Sequence, residues 1–313
     1  MAHPSTLTDV ISAVIVGKPE AVELTVTCLL AEGHLLIEDV PGTGKTTLAR
    51  ALAVALNARS NRIQFTPDLL PADITGTTVL DQRMSAFEFR PGPIFANVVI
   101  ADEINRASPK TQSALLEVME ERTVSVDGVS HPVARPFMVV ATQNPVDMEG
   151  TYALPEAQLD RFLMRISLGH LDAADELNVI RGHSAGRTVD HLRPVMAITD
   201  AQQMIAMSAQ VQMSEALARY IVELAGATRR HPHVRHGAST RATLALVRAA
   251  RARAMLRGRG YATADDVQFL AVPVLAHRLV LAPQAELDGV RPDQVVAQIL
   301  SHTPTPDTVG SRR

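Results

Sequence analysis

The chain has a single cysteine, no tryptophan and an aromatic share of only 3%. One thiol, Cys28, excludes an intrachain disulfide and suits a reducing compartment. So few aromatics leave few platforms on which bases could stack. Neither sign of charge dominates: the net charge is -3, so no global basic field draws the chain to nucleic acid or an anionic membrane. Long hydrophobic runs are also missing. Stretches such as ANVVIA fall far short of the roughly 20 residues needed to span a bilayer. The start, MAHPSTLTDV, has neither the basic nor the apolar region of a secretory signal. Together these absences predict a cytoplasmic protein with no direct membrane insertion and no nucleic-acid partner. What is present is ordinary globular material: 313 residues, 46% hydrophobic and 20% charged, enough for one large domain or two modest ones.

Short β-rich runs alternate with helical patterns in the first half, which predicts a mostly parallel sheet. The candidate strands are 34–38, 62–65, 97–101, 137–142 and 162–168. Their nearly continuous apolar character suits strands covered on both faces. Helices are expected at Lys45–Asn57 and Pro109–Arg122, the latter with Ala114, Leu115, Val118 and Met119 on one face. Residues 66–96 break the alternation and read as an insertion. Asp127-Gly128 between valine-bearing flanks predicts a hairpin over 123–133, with Pro132 confining its strand to an edge. Beyond about residue 170 the β signals fade. Gly182–Pro194 reads as a connector, and 200–230, 239–257 and 264–281 read as helices. The expected division is a core of alternating strands and helices over 1–187, a helical domain over 188–302 and a frayed tail over 303–313. The fold class is α/β, with a five-stranded αβα core followed by a small all-α domain.

Residues 36–47, LIEDVPGTGKTT, end in the Gly-Lys-Thr of a Walker A loop but carry Asp39 where the pattern G-x-x-x-x-G-K-[ST] has its first glycine. A predicted strand precedes this loop and a predicted helix follows it at once, which weighs against a chance match. Backbone N–H groups of Gly42–Thr46 can point inward at phosphate, helped by the helix N-terminus. Lys45 would reach the β- and γ-phosphates and Thr46 would ligate Mg²⁺. The run NVVIADE adds Asp102 for the metal and Glu103 to polarise an attacking water. Asn144 ends the next strand, where it could orient that water, although a lone asparagine is also a common turn former. Arg161 closes a short helix, where the macrodipole favours a cation anyway. Arg241 falls in a first helical turn behind the N-cap candidates Ser239 and Thr240. A cation is mildly disfavoured there, so an anion opposite it is expected.

Three further features have plainer explanations. Histidines 231, 233 and 236 lack the cysteine or carboxylate partners of a metal site and read as a solvated loop. The five arginines in RAARARAMLRGR (248–259) read as an exposed helix face. Cys28 and methionines 204, 207 and 213 read as packing residues.

The long phrases EDVPGTGKTTLA, RIQFTPDLLPADITG, GPIFANVVIADEINRASPKTQSALLEVMEER, VATQNPVDMEGTYALPEAQLDRF and GASTRA resemble the MoxR-type AAA+ ATPases, over about residues 15–280. In that family Asp-Val-Pro-Gly often opens the phosphate loop. The resemblance implies an AAA+ core with a helix-2 insertion and a hairpin before sensor 1, then a helical lid. It implies ATP and Mg²⁺ as ligands. The cofactor-binding set would be Val16 and Gly17 at the adenine, Pro41, Gly42, Thr43, Gly44, Lys45, Thr46 and Thr47 at the phosphates, and Arg241 as sensor 2. Asn144 would be sensor 1, and Arg161 the arginine finger serving an adjacent subunit. Family members assemble as rings, commonly hexamers, and remodel or activate partners, often proteins with a von Willebrand factor A-type domain. Two rival readings stay open on sequence alone: a nucleic-acid-stimulated AAA+ motor, and a nucleotide-gated scaffold with little turnover.

Overall fold

The computed structural model describes residues 4–83, 85–144, 152–184, 186 and 188–306. The predicted tail from residue 307 onward, residues 185 and 187 of the predicted connector, and residues 145–151 lie outside these. Two helices open the chain, α1 (Pro4–Ser12) and α2 (Pro19–Leu30), followed by β1 (Leu35–Glu38), α3 (Lys45–Ala55) and β2 (Ser60–Gln64). The expected insertion is built from α4 (Pro71–Thr75) and the hairpin β3 (Gly76–Asp81) and β4 (Ala86–Pro91). Next come β5 (Val98–Asp102), α5 (Pro109–Glu121), the predicted second hairpin β6 (Thr123–Val126) and β7 (Val129–Pro132), then β8 (Met138–Gln143). The short helix α6 (Glu156–Leu159), β9 (Met164–Ile166) and α7 (Ala173–Ser184) complete the first half.

Five strands form one sheet in the order β2-β5-β8-β1-β9, every pair parallel. Alternate strand residues serve opposite layers. Leu35, Ile37, Val98 and Ile100 join α2 and α3 on one side, while Leu36, Val99 and Ala101 join α5 and the insertion on the other. Both faces are covered, which is why the strands are apolar throughout. Sequence order reverses between β8 and β1, so a crevice opens there at the carboxyl ends of the strands, where ligands bind in open α/β sheets. In the second hairpin Asp127 and Gly128 both have positive φ, 49° and 80°, the mirror-image turn that the Asp-Gly pair favours. The two hairpins touch through Phe89, whose ring stacks on His131 at 4.0 Å.

The remainder is helical: α8 (Ile198–Ala209), α9 (Glu215–Arg230), β10 (Val234–His236), α10 (Thr240–Leu256), α11 (Ala264–Leu275), β11 (Val280–Leu281), α12 (Pro283–Leu287) and α13 (Pro292–His302). The single helix expected over 200–230 is two helices, broken at Gln210–Ser214, where Gln212 bridges to Tyr261. The helix expected over 264–281 ends at Leu275, soon after Pro273, and β11 pairs with β10. The connector expected from Gly182 is preceded by α7, which runs into it. Buried alanines 242, 245, 249 and 252 let α10 lie close against its neighbours, among them α2 and α8. One apolar core therefore runs from the sheet through α2 into this helical part.

The arginine run 248–259 is not a solvated face. Arg253 donates to Glu23 and Asp266, Arg257 to Glu23, and Arg259 to Asp266, whose carboxylate is fully buried. Cys28 is buried in the core as expected, and burial pushes its thiol pKa well up. Met204 is buried, whereas Met207 faces outward. Among the described residues no helix is long and apolar enough to cross a membrane.

Candidate functional site

The loop 39–44 leaves the carboxyl end of β1 and turns into α3 with Gly44 as its N-cap. Gly42 and Gly44 take φ of +88° and +92°, a conformation that L side chains rarely adopt. A Cβ at either would meet no atom within 4 Å, so the space before the loop is open and its amides can face an anion. Asp39, in place of the usual glycine, has a structural task. Its Oδ2 accepts hydrogen bonds from the N–H groups of Leu168 (2.8 Å) and Gly169 (2.6 Å) and from Ser167 Oγ (3.2 Å). Its Oδ1 accepts from Val40 N–H at 2.9 Å. Burial alone would raise the Asp39 pKa, but these donors outweigh it and hold the carboxyl below its ordinary value. The loop is thereby fastened to the segment after β9. Lys45 Nζ donates to the carbonyls of Asp39 and Val40, the latter at 2.8 Å. Burial depresses its pKa, and Asp39, Asp102 and Glu103 partly restore it.

The acids sit at the end of β5, two strands from β1. Asp102 is buried, with Thr46 Oγ1 donating to its Oδ1 at 3.2 Å and Thr142 Oγ1 donating to the same oxygen at 3.2 Å. Hydroxyl and carboxylate thus converge as the hard oxygen donors that would suit a cation such as Mg²⁺. Glu103 turns out of the strand with φ of 56°, its N–H bonded to Thr142 Oγ1 at 3.0 Å. The register of Ala101 opposite Ala141 brings Glu103 and Asn144 to the same sheet edge, and the Asn144 carbonyl accepts from Asn105 Nδ2 at 3.4 Å.

A cleft of about 700 Å³ lies beside the loop, bounded by Val14, Val16, Thr47, Arg50, Asn178 and Val189 among others. Its size is within the range of small-molecule sites, and it unites Val16 with the phosphate-loop residue Thr47. Gly17 adjoins it with φ of +73°, and a Cβ there would lie 2.2 Å from Asp175 Oδ2 of α7. Only glycine fits.

Arg161 and Arg241 are elsewhere. Both pair with Glu120, at 3.1 Å and 2.5 Å, and Arg241 also approaches Asp160 at 3.7 Å. They line a pocket of about 280 Å³ with Gly33 and His34, at the opposite end of β1 from the loop. Six residue steps, four of the residues between being β1, separate Gly33 from Asp39, roughly 20 Å. The structure therefore brings Lys45, Thr46, Thr47, Asp102, Glu103, Asn144 and Val16 to the carboxyl-end side of the strands, and Arg161 and Arg241 to the amino-end side.

Four residues at the site were not singled out from sequence. Arg62 Nε donates to Asp102 Oδ2 at 2.6 Å, and Gln64 Nε2 donates to Glu103 Oε2 at 3.1 Å. Arg106 donates to the same Glu103 oxygen at 3.0 Å, and Thr142 links both acids. The available signal was the alternation in RIQF: Arg62 and Gln64 are polar residues two apart on a strand paired in register with β5.

Comparisons with known proteins agree with this geometry. Residues 34–164 match the ATPase family associated with various cellular activities (AAA), and residues 226–299 match an AAA lid domain. An uncharacterised Bacillus subtilis protein, YeaC, is 48% identical, covering 95% of this chain and 92% of that protein. The chaperone MoxR1 of Mycobacterium tuberculosis is 40% identical, covering 95% of this chain and 80% of its own length. A solved Cytophaga hutchinsonii structure superposes with a TM-score of 0.90 at 38% identity, over 97% of this chain and 94% of that one.

Proposed function

The chain belongs to the MoxR family of AAA+ ATPases, and on that premise we propose that it hydrolyses ATP at sites shared between copies of itself and uses the cycle to remodel or activate a protein partner. The observation that carries this reading is the separation of the two halves of the machinery along β1. Gly42–Thr46, Asp102 and Glu103 lie at one end, and Arg161 and Arg241 line a pocket at the other, six residue steps or roughly 20 Å along the chain. Both arginines lie at the far end of β1 from their own chain's loop, which supports assigning each to the nucleotide of a neighbour, Arg241 as well as Arg161.

In that composite site the amides of Gly42–Thr46 hold the β- and γ-phosphates, and Lys45 leaves the Asp39 and Val40 carbonyls to join them. Thr46 and Asp102 would hold Mg²⁺, which supplies charge neutralisation on the phosphates when bound. Glu103, steadied by Gln64 and Arg106, orients the water that attacks the γ-phosphorus in line. The bond to the bridging oxygen breaks, leaving ADP and inorganic phosphate. Arg161 arriving from a neighbour contributes on the order of 10³–10⁵ in rate. The assembly is a ring, with a hexamer as the expected size, working in the cytoplasm. The partner we propose is a protein bearing a von Willebrand factor A-type domain, the class that the family resemblance implies.

ATPase rate per subunit measured against protein concentration tests the shared site, with Arg161→Ala alongside. The expected result is a rate that rises steeply as subunits assemble and falls at least about a hundredfold in the variant. Full turnover by a verified monomer would reject the reading. Capture of partners on a Glu103→Gln variant held with ATP identifies what is acted upon; recovery of nucleic acid alone would favour a motor instead.

A further inference from the structure

The arginine pocket at the amino end of β1 carries more positive charge than its own carboxylates balance. Its walls hold five guanidiniums against the three carboxylates of Glu32, Glu120 and Asp160, so two positive charges are unmatched. His34, also in the wall, adds none near neutral pH, because burial pushes its pKa down to about 4. Four of the arginines are engaged: Arg122 with Glu32, Arg161 and Arg241 with Glu120, and Arg278 with Asp160. Arg248 is the fifth, and among the described residues its side chain makes no hydrogen bond or ion pair.

Arg248 lies seven residues beyond Arg241 on α10, two turns on and on the same helix face, about 10 Å along the axis. Leu244, between them on that face, is 59% exposed. The charges that face Arg248 are the Arg122, Arg278 and Glu32 side chains. A guanidinium offers five donors and keeps its proton, so leaving it unpaired beside two other arginines is unfavourable in the isolated chain. An anion rich in acceptor oxygens, arriving from outside, relieves this. A single carboxylate cannot accept from so many converging donors, whereas a phosphate chain can. Glu120 already pairs with Arg161 and Arg241 where such an anion would sit.

We propose that Arg248 is a third anion-contacting residue of the composite site, donating to the phosphates of the nucleotide held by a second copy of the chain. The inference rests on the reading that Arg161 and Arg241 act on a neighbour's nucleotide, and it extends that set to the pocket's unpaired cation.

The test is complementation between variants. Arg248→Ala, Arg248→Lys and the control Arg161→Ala are each assayed alone and after mixing with Lys45→Ala subunits, which lack the phosphate-loop ammonium but keep every arginine. The expected result for Arg248→Ala is a turnover lowered by about tenfold or more, with nucleotide binding by its own loop and the thermal midpoint unchanged. Arg248→Lys recovers part of the rate, since it keeps the charge and loses the fork. Mixing with Lys45→Ala restores turnover to both arginine variants, but a Lys45→Ala, Arg248→Ala double variant does not restore Arg161→Ala. Rescue of Arg161→Ala alongside an Arg248→Ala variant of wild-type kcat and KM overturns this inference alone. Failure of Lys45→Ala to rescue Arg161→Ala overturns the shared-site reading and this inference with it.

Discussion

Asp39 shows what a single departure from a motif can mean. The Walker pattern asks for glycine at its first position because a chain must turn there. This chain instead fastens the turn with a carboxylate that gathers three backbone N–H groups and one hydroxyl. Asp39→Gly, which restores the general pattern, should therefore weaken the protein. Losing a buried charged acceptor from Leu168 and Gly169 costs about 3 kcal/mol, seen as a thermal midpoint lower by about 6–12 °C. Nucleotide affinity should fall with it; a midpoint unchanged from wild type would show that the anchor contributes nothing. Asp39 was legible as an oddity, but its partners were not, because Ser167 lies 128 residues further on. Lys45, Thr46, Asp102 and Glu103 were legible because loop and strand end are local patterns. Arg62 and Gln64 were hidden inside a strand, where only the register with β5 reveals which acids they meet.

At the scale of elements, His34 stitches three of them together. Its Nδ1 accepts from Val139 N–H of β8 at 3.0 Å, which leaves Nε2–H to donate to the Met119 carbonyl of α5 at 3.0 Å. The ring is held neutral, with a folded pKa near 4 against an ordinary 6.5. Between those values the unfolded chain binds the proton and the folded chain does not, so stability rises with pH across that window and is lost as pH falls through it. His34 alone should lower the unfolding free energy by about 2 kcal/mol between pH 7 and pH 5. His277, also pushed well down by burial, acts with the same sign. Urea midpoints across that range test this, and a His34→Gln variant should show a shallower dependence. Elements were read best where one face was apolar. In α2, nine of twelve residues are buried, so no amphipathic stripe marks it and its β-branched residues blur the period. The break at Gln210–Ser214 was missed because apolar residues continue across it.

The whole molecule is held as one body by polar links as well as by its core. Glu23 on α2 accepts from Arg253 and Arg257 of the helical half, and Arg253 and Arg259 converge on Asp266. Glu23→Ala removes one of the two carboxylates that hold Arg253, which is 11% exposed and keeps Asp266, and should cost about 1.5–3 kcal/mol. Calorimetry should show one transition for the wild type and a lower midpoint for the variant; two transitions in the wild type would mean that the halves melt independently. None of this was readable from sequence, where the same arginines looked like a wet surface, because their acids lie as far off as residue 23. The position of the helical half has a consequence for assembly. On the proposed reading, in which the arginines at one end of β1 serve the cradle of a neighbour, the subunit would be polar, like a brick with a socket at one side and a peg at the other. An open row of such bricks always finishes with one idle socket and one idle peg. Bending the row until its ends meet puts both to use, so closure gains a working site that no linear stack of equal length possesses.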